Sequence, residues 1–237
     1  MMRFTGLSKV YPGPPPVSAL VSAGGCLRSG LLTVIHGRSG SGKSTLLALL
    51  GLLDSPTAGE IQIDGRAVST LSPRDRDEIR RRTLGFVFQS FHLVPEMTAA
   101  DNVELGLRYA GLPRKGRRDL AMSALTEVGL SHRSGSLVAT LSGGEQQRVA
   151  LARAMAKEPR VILADEPTGN LDSATEIAVV DHLSQAAHHG CAVVVVSHSR
   201  DVAARADVVL SMNDGVLADG ADPGTPTDDT AARGGVR

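Results

Sequence analysis

The sequence has no surplus of either charge: 25 Lys and Arg offset 25 Asp and Glu over 237 residues. It therefore lacks the strong positive field of many nucleic-acid binders, and nucleic acid is not an expected partner unless a local basic patch supplies it. Cysteine is scarce. Cys26 and Cys191 each border an apolar run, CLRSGLLTVI and CAVVVVS, and read as small buried hydrophobes in a reduced compartment rather than as a disulfide. Long hydrophobic runs are missing too: LLALLGLL and AVVVV fall well short of the roughly 20 residues a membrane-spanning helix needs. The opening MMRFTGLSKVYPG lacks the apolar stretch of a secretory signal. The expectation is a cytoplasmic protein whose membrane role, if it has one, runs through a partner.

What is present suffices for a core. At 42% hydrophobic residues, the chain suits one large domain or a core with an inserted subdomain. MRFTGLSKVY reads as strand, PGPPP as turn and LLTVI as strand again, while six leucines between Ser44 and Leu53 cover most of a buried helix. EIQIDG alternates and ends in a turn, Ser72-Pro73 starts a helix that runs to about Arg82, and LGFVFQ is a strand. Between Ser90 and Pro159 the pattern turns helical, near 99–110, 117–128 and 143–157. Strand and helix then alternate through RVILAD, Ala174 to His188, CAVVVVS and DVVLSM, which predicts a mainly parallel sheet flanked by helices. The small polar residues from Asp219 onward predict a disordered tail.

Residues 37 to 45, GRSGSGKST, fit G-x-x-x-x-G-K-[ST] between a predicted strand and a predicted helix. Gly40 and Gly42 let backbone N–H groups close around phosphates, Lys43 adds a point charge, and the Ser44 hydroxyl can ligate Mg²⁺. Such a site needs a second carboxylate for the metal. VILADE supplies it: Asp165 at the carboxyl end of a buried strand, with Glu166 next to it as candidate general base. Gln89 and His198 end two further predicted strands and reach the same sheet edge.

LSGGEQQRVALARA raises a different question. Ser142 and Glu145 form a capping box, S-x-x-E, which accounts for a helix start but not for Gly143 and Gly144 in its first turn. A helix N-terminus stripped of side chains can let an anion reach its N–H groups. No lysine or metal carboxylate accompanies this second start, so one nucleotide serving both starts is the economical reading.

LSGGEQQRVALARA resembles the signature motif of ATP-binding-cassette ATPases, and GRSGSGKST, Gln89, VILADEPT, NLD at 170–172 and His198 stand in that family's order. The resemblance implies an α/β fold of the P-loop nucleoside triphosphatase (RecA-like) type: a mainly parallel sheet, N-terminal antiparallel strands and an inserted α-helical subdomain at about 90–158, all within residues 1–218, with 219–237 as the tail. It implies ATP as ligand of Gly37, Arg38, Ser39, Gly40, Ser41, Gly42, Lys43, Ser44 and Thr45, with Tyr11 stacking on adenine, unless Tyr11 simply packs beside its Pro-rich turn. Mg²⁺ falls to Ser44, Gln89 and Asp165, and catalysis to Glu166, Gln89 and His198. Ser142, Gly143, Gly144 and Glu145 are implied to close on the nucleotide of a second copy, in an ATP-dependent homodimer.

FVFQSFHLVPEMTAADNVEL and ADEPTGNLDS look like the family's lipoprotein-release, macrolide-export and cell-division group. That implies an integral-membrane permease partner, an extracytoplasmic lipoprotein, peptide or drug-like substrate, and a place on the inner face of the cell membrane. The stretch from about Phe91 to Leu107 is the expected docking place for the permease, because it follows Gln89 and FHLVPEM offers apolar side chains in an expected surface loop. His198 is followed by Ser199 where the family usually has an acidic residue. A soluble ATPase of the same superfamily, acting on DNA, ribosomes or cluster assembly, is the alternative. The chain has neither the long coiled coil of the DNA-repair members nor the paired cassettes of the translation factors, and the subgroup motifs speak against cluster assembly.

Overall fold

The strands, in chain order, are β1 (Met2–Tyr11), β2 (Val17–Leu27), β3 (Leu32–His36), β4 (Ala58–Ile63), β5 (Arg66–Ala67), β6 (Leu84–Phe88), β7 (Val161–Asp165), β8 (Ala192–Ser197), β9 (Val208–Asn213) and β10 (Val216–Asp219). The α-helices are α1 (Lys43–Leu50), α2 (Pro73–Thr83), α3 (Ala99–Tyr109), α4 (Arg117–Glu127), α5 (Gly143–Met155), α6 (Ser173–His188) and α7 (Arg200–Ala203). This computed structural model describes residues 2–169 and 171–219, so the predicted tail from 220 to 237 lies outside the described residues. Asp219, at the predicted start of that tail, instead pairs with Leu210 as the last residue of β10.

The main sheet has the order β10-β9-β3-β8-β7-β6, parallel throughout except for the β9–β10 hairpin. Its central strands lack polar alternation because both faces are buried. Val34, Ile162, Ala164, Val193 and Val195 enter a core shared with α3, α4, α5 and α6. Their neighbours Ile35, Val161, Leu163, Val194 and Val196 enter a second core with α1 and the antiparallel strands. Burying both faces leaves the carboxyl ends of the parallel strands as the exposed polar edge.

The second sheet, β2-β1-β4-β5, is antiparallel and covers α1. β2 is the strand that pattern reading misses. Its inward residues Leu20, Ala23 and Leu27 fall at intervals of three and four, as on a helix, because its pairing with β1 shifts register between Phe4 and Leu7, Leu7 and Lys9, and Lys9 and Val10. Bulges had erased the period of two.

α3, α4 and α5 pack on one another between β6 and β7. α5 ends at Met155, two residues short of the predicted boundary; Glu158 takes φ +51 and Pro159 follows, which no helix continues through. Of the apolar side chains predicted to be free for docking after Gln89, Leu93 packs against the core and Phe91 is half-buried. Among the described residues no helix is long and apolar enough to cross a membrane.

Candidate nucleotide site

β3 delivers the chain into the loop 37–42, which enters α1 through Gly42. Gly42 has φ +102, and a Cβ there would lie 2.3 Å from the Ala19 carbonyl oxygen, so only glycine fits. No side chain caps α1, which leaves its first N–H groups open for an anion. Lys43 is buried, its Nζ donating to the carbonyls of Gly37 at 2.8 Å and Arg38 at 2.9 Å. An ammonium has three donors, so one remains for a phosphate. The turn at Asp214-Gly215 supports the loop, Gly215 N–H donating to the Ser41 carbonyl at 2.9 Å, while the buried Ser41 hydroxyl has no partner among the described residues.

Strand register assembles the acidic side of the site. Phe88 lies opposite Asp165, Asp165 opposite Val196, and His36 opposite Ser197. Gln89, Glu166, His198 and Gly37 therefore leave the sheet at one edge. Ser44 Oγ donates to Asp165 Oδ1 at 3.0 Å. Burial, with the charge of Glu166 adding to it, raises the Asp165 pKa against the opposing pull of Ser44 and Lys43. Glu166 has φ +43, a left-handed conformation that costs a non-glycine residue about 1–2 kcal/mol. Its N–H donates to the Val196 carbonyl, and its carboxylate lies 3.0 Å from His198 Nδ1 and 4.0 Å from Lys43 Nζ.

A cleft of about 960 Å³ collects Arg38, Ser39, Gly40, Gly42, Lys43, Ser44, Thr45, Gln89, Asp165, Glu166 and His198. Gly37 and Ser41 belong to the same loop but are not in the lining of the cleft. Tyr11 is not in the lining either: it ends β1, donates its hydroxyl to Asp54 at 3.2 Å and lies 5.0 Å from the Lys9 ammonium. Its partner across the sheet, Val17, does line the cleft, with Ser18 and Ala19. Those three residues, and Asp214 and Gly215, escaped sequence reasoning; the missed strand hid the first group, and Asn213-Asp214-Gly215 reads locally as a turn after DVVLSM, with no hint of proximity to the loop.

Ser142, Gly143, Gly144 and Glu145 line a different pocket of about 490 Å³, with Asp172 and Thr175. The capping box is formed: Ser142 Oγ accepts from Glu145 N–H at 3.3 Å and Glu145 Oε2 from Ser142 N–H at 2.9 Å. The two glycines are not equivalent. A Cβ on Gly144 would lie 2.6 Å from Thr175 Cγ2 in α6, whereas one on Gly143 meets nothing nearer than the Phe91 ring at 4.0 Å. Packing within the chain thus requires Gly144 and leaves Gly143 unexplained. Gly144→Ala is expected to lower Tm by about 2–8 °C through overpacking, and Gly144→Ala with Thr175→Ser to recover most of it. Gly143→Ala is expected to leave Tm within about 2 °C and, if this glycine opens the α5 N-terminus to the nucleotide of a second copy, to abolish ATP-dependent dimerisation in analytical ultracentrifugation. Dimers that persist in Gly143→Ala would remove the anion-site reading of that glycine.

A glycine loop that opens an uncapped helix N-terminus, with carboxylates at the end of a parallel strand two places along the sheet, defines the class: a P-loop nucleoside triphosphatase. Residues 22–169 match the family described as ABC transporter, and the chain belongs to it. It is 46% identical over 227 residues to the macrolide export ATP-binding/permease protein MacB of Rhodospirillum rubrum, covering 95% of this chain and 35% of that protein. The corresponding MacB 1/2 of Paracoccus denitrificans is 43% identical, over 94% of this chain and again 35% of the relative. The chain thus spans about a third of the length of these relatives. Among solved structures, the dimeric post-hydrolysis state of the ATP-binding cassette MJ0796 bound to ADP and Pi is similar at TM-score 0.84 and 38% identity, over 92% of this chain and 96% of that one.

Proposed function

We propose that this chain is the ATP-binding and ATP-hydrolysing part of an ABC exporter, two copies of which close on ATP to drive a membrane permease from the cytoplasmic face. The carrying observation is the convergence, in one cleft, of Lys43, the Ser44–Asp165 pair and the Glu166–His198 pair. Glu166 orients and deprotonates the attacking water, while Lys43 and the α1 N–H groups hold the charge that builds on the phosphates. Adenine falls to the strand edge at Val17, Ser18 and Ala19, which line the cleft, rather than to Tyr11, which does not. The 38% identity to a cassette solved as a dimer supports pairing, and the relatives named for macrolide export support a permease handling the drug-like member of the expected lipoprotein, peptide or drug-like substrates. The soluble alternative has no comparable support.

The residues suit Mg²⁺. Ser44 and Asp165 offer hard oxygens side by side, with Gln89 at the same edge, and among the described residues no group of three or more His, Cys, Asp or Glu is assembled. A cation held by one carboxylate, a hydroxyl, phosphates and water is the usual situation of Mg²⁺; here Ser44 and Asp165 would hold it, and it would supply charge neutralisation for the phosphates. The test is phosphate release from ATP, expected with Mg²⁺ and absent with excess chelator; ATP binding without release under any condition would overturn the hydrolytic reading.

Asp165 adds a prediction on stability. Because burial raises its folded pKa, its contribution favours the folded state below the unfolded pKa and is lost as pH rises through the folded one, above which the ionised carboxylate is a burden on the nucleotide-free protein. Asp165→Asn is expected to raise the nucleotide-free Tm by about 1–4 °C while removing Mg²⁺-dependent turnover. A lowered Tm would show that the carboxylate is needed for structure.

A further inference from the structure

The segment after Gln89 is held from the helices, not from the sheet. Phe91 and His92 both occupy the left-handed region, with φ +59 and +48, and neither is glycine. Two such residues in succession persist only where their surroundings impose them. The imposing group is Arg153, in the last turn of α5: its Nη2 donates to the Phe91 carbonyl at 2.7 Å and its Nη1 to the His92 carbonyl. Among the described residues no carboxylate pairs with Arg153. Burial pushes its pKa down from the ordinary arginine range, and the two carbonyl dipoles stand in for a counter-ion. α3 makes way for its stem, since a Cβ on Gly106 would lie 2.8 Å from Arg153 Cγ. Two residues further on, the fully buried Asn102 of α3 accepts from Val94 N–H at 2.7 Å and donates to the Val94 carbonyl at 3.0 Å.

This loop lines the nucleotide cleft and, at Phe91, reaches the start of α5 that borders the other pocket. His92 packs edge-on against Phe88 at 4.9 Å and lines the nucleotide cleft with Gln89 and Ser90. The Phe91 ring lies beside Gly143, the first residue of α5. We infer that Arg153 is a positioning residue that clamps the Phe91–His92 backbone to α5, so that the Gln89 side of the nucleotide cleft and the Ser142–Gly144 turn move as one body. The inference rests on the nucleotide reading of the cleft. Geometry explains the residue type: a planar guanidinium reaches two successive carbonyls at once, which a lysine ammonium on a flexible stem does less well.

The experiment compares Arg153→Met, which keeps much of the stem packing, and Arg153→Lys with the parent chain, by steady-state ATPase kinetics and by amide exchange of the folded protein. With Arg153→Met, KM is expected to stay within about 3-fold, because loop 37–42 is untouched, and kcat to fall by about 10- to 100-fold, as misplacement of a catalytic constellation produces. Exchange at residues 90–93 should accelerate about 10-fold or more, with the middles of α3 and α5 unchanged. Arg153→Lys should fall between, and it carries the test if the methionine variant does not fold. Unchanged exchange at 90–93, or faster exchange throughout α3 and α5 with kcat per folded molecule preserved, would overturn the clamp. Should the parent chain hydrolyse no ATP, the proposed function fails while the exchange comparison still decides the clamp.

Discussion

Glu166→Gln is expected to reduce ATP turnover by about 10²- to 10⁴-fold, the usual worth of a general base, while nucleotide binding survives. The substitution is nearly isosteric and can keep the left-handed backbone at φ +43 and the contact with His198 at 3.0 Å. It removes the one charge beside Asp165 that raises the latter's pKa. Lys43, 4.0 Å away, keeps both loop carbonyls as partners and so keeps its place for phosphate. ATP should therefore be trapped rather than released, and turnover and nucleotide retention need to be measured on the same sample. Unchanged turnover would show that Glu166 is not the base. Lys43→Ala offers the contrast, because it removes charge that faces phosphate in the ground state and should weaken binding itself.

The larger expected effect concerns the two glycine-rich helix starts. They lie in separate pockets of one chain, and among the described residues the signature pocket has no buried lysine and no strand-end carboxylate of its own. If one ATP serves both, it joins the cleft of one copy to the Ser142–Gly144 turn of another. A mixture of Lys43→Ala and Ser142→Arg chains separates the possibilities. Sharing between copies puts both defects at one site of the mixed dimer and leaves the second site intact. Sharing within a copy leaves no intact site. With a non-hydrolysable ATP analogue, the mixture is expected to form dimers that occlude one nucleotide, which neither variant does alone. Mixed dimers that form but occlude no more than the separate variants would falsify the shared site, and Gly143 would then keep only its capping-box neighbours as an explanation.

Much of the cleft was legible because its parts are short and contiguous. GRSGSGKST specifies its own backbone path through glycines at positive φ, and VILADE needs only a strand to carry Asp165 and Glu166 to an edge. Gln89 and His198 could be placed with them because parallel strands in register end together. Val17, Ser18 and Ala19 could not, since the bulges of β2 replace the strand period with a helical one. Tyr11 shows the opposite limit: a residue type and a position suggested stacking on a base, but which way a ring at a strand end points depends on neighbours such as Asp54 and Lys9 that no local pattern names.

The sequence alone determined the elements whose signal is local: the phosphate loop, the acidic strand end, the capping box, the buried parallel strands, and with them the class of chemistry. Only the tertiary structure decided that the two glycine starts occupy different pockets, that Gly144 is required by Thr175 while Gly143 is not, and that Arg153 of one helix holds the backbone of a loop 61 residues earlier in the chain. The division has a physical cause. Backbone conformation and hydrophobic period act over a few residues and are written in order along the chain, whereas close approach and carbonyl recognition depend on distances between elements that are fixed only once both cores have packed.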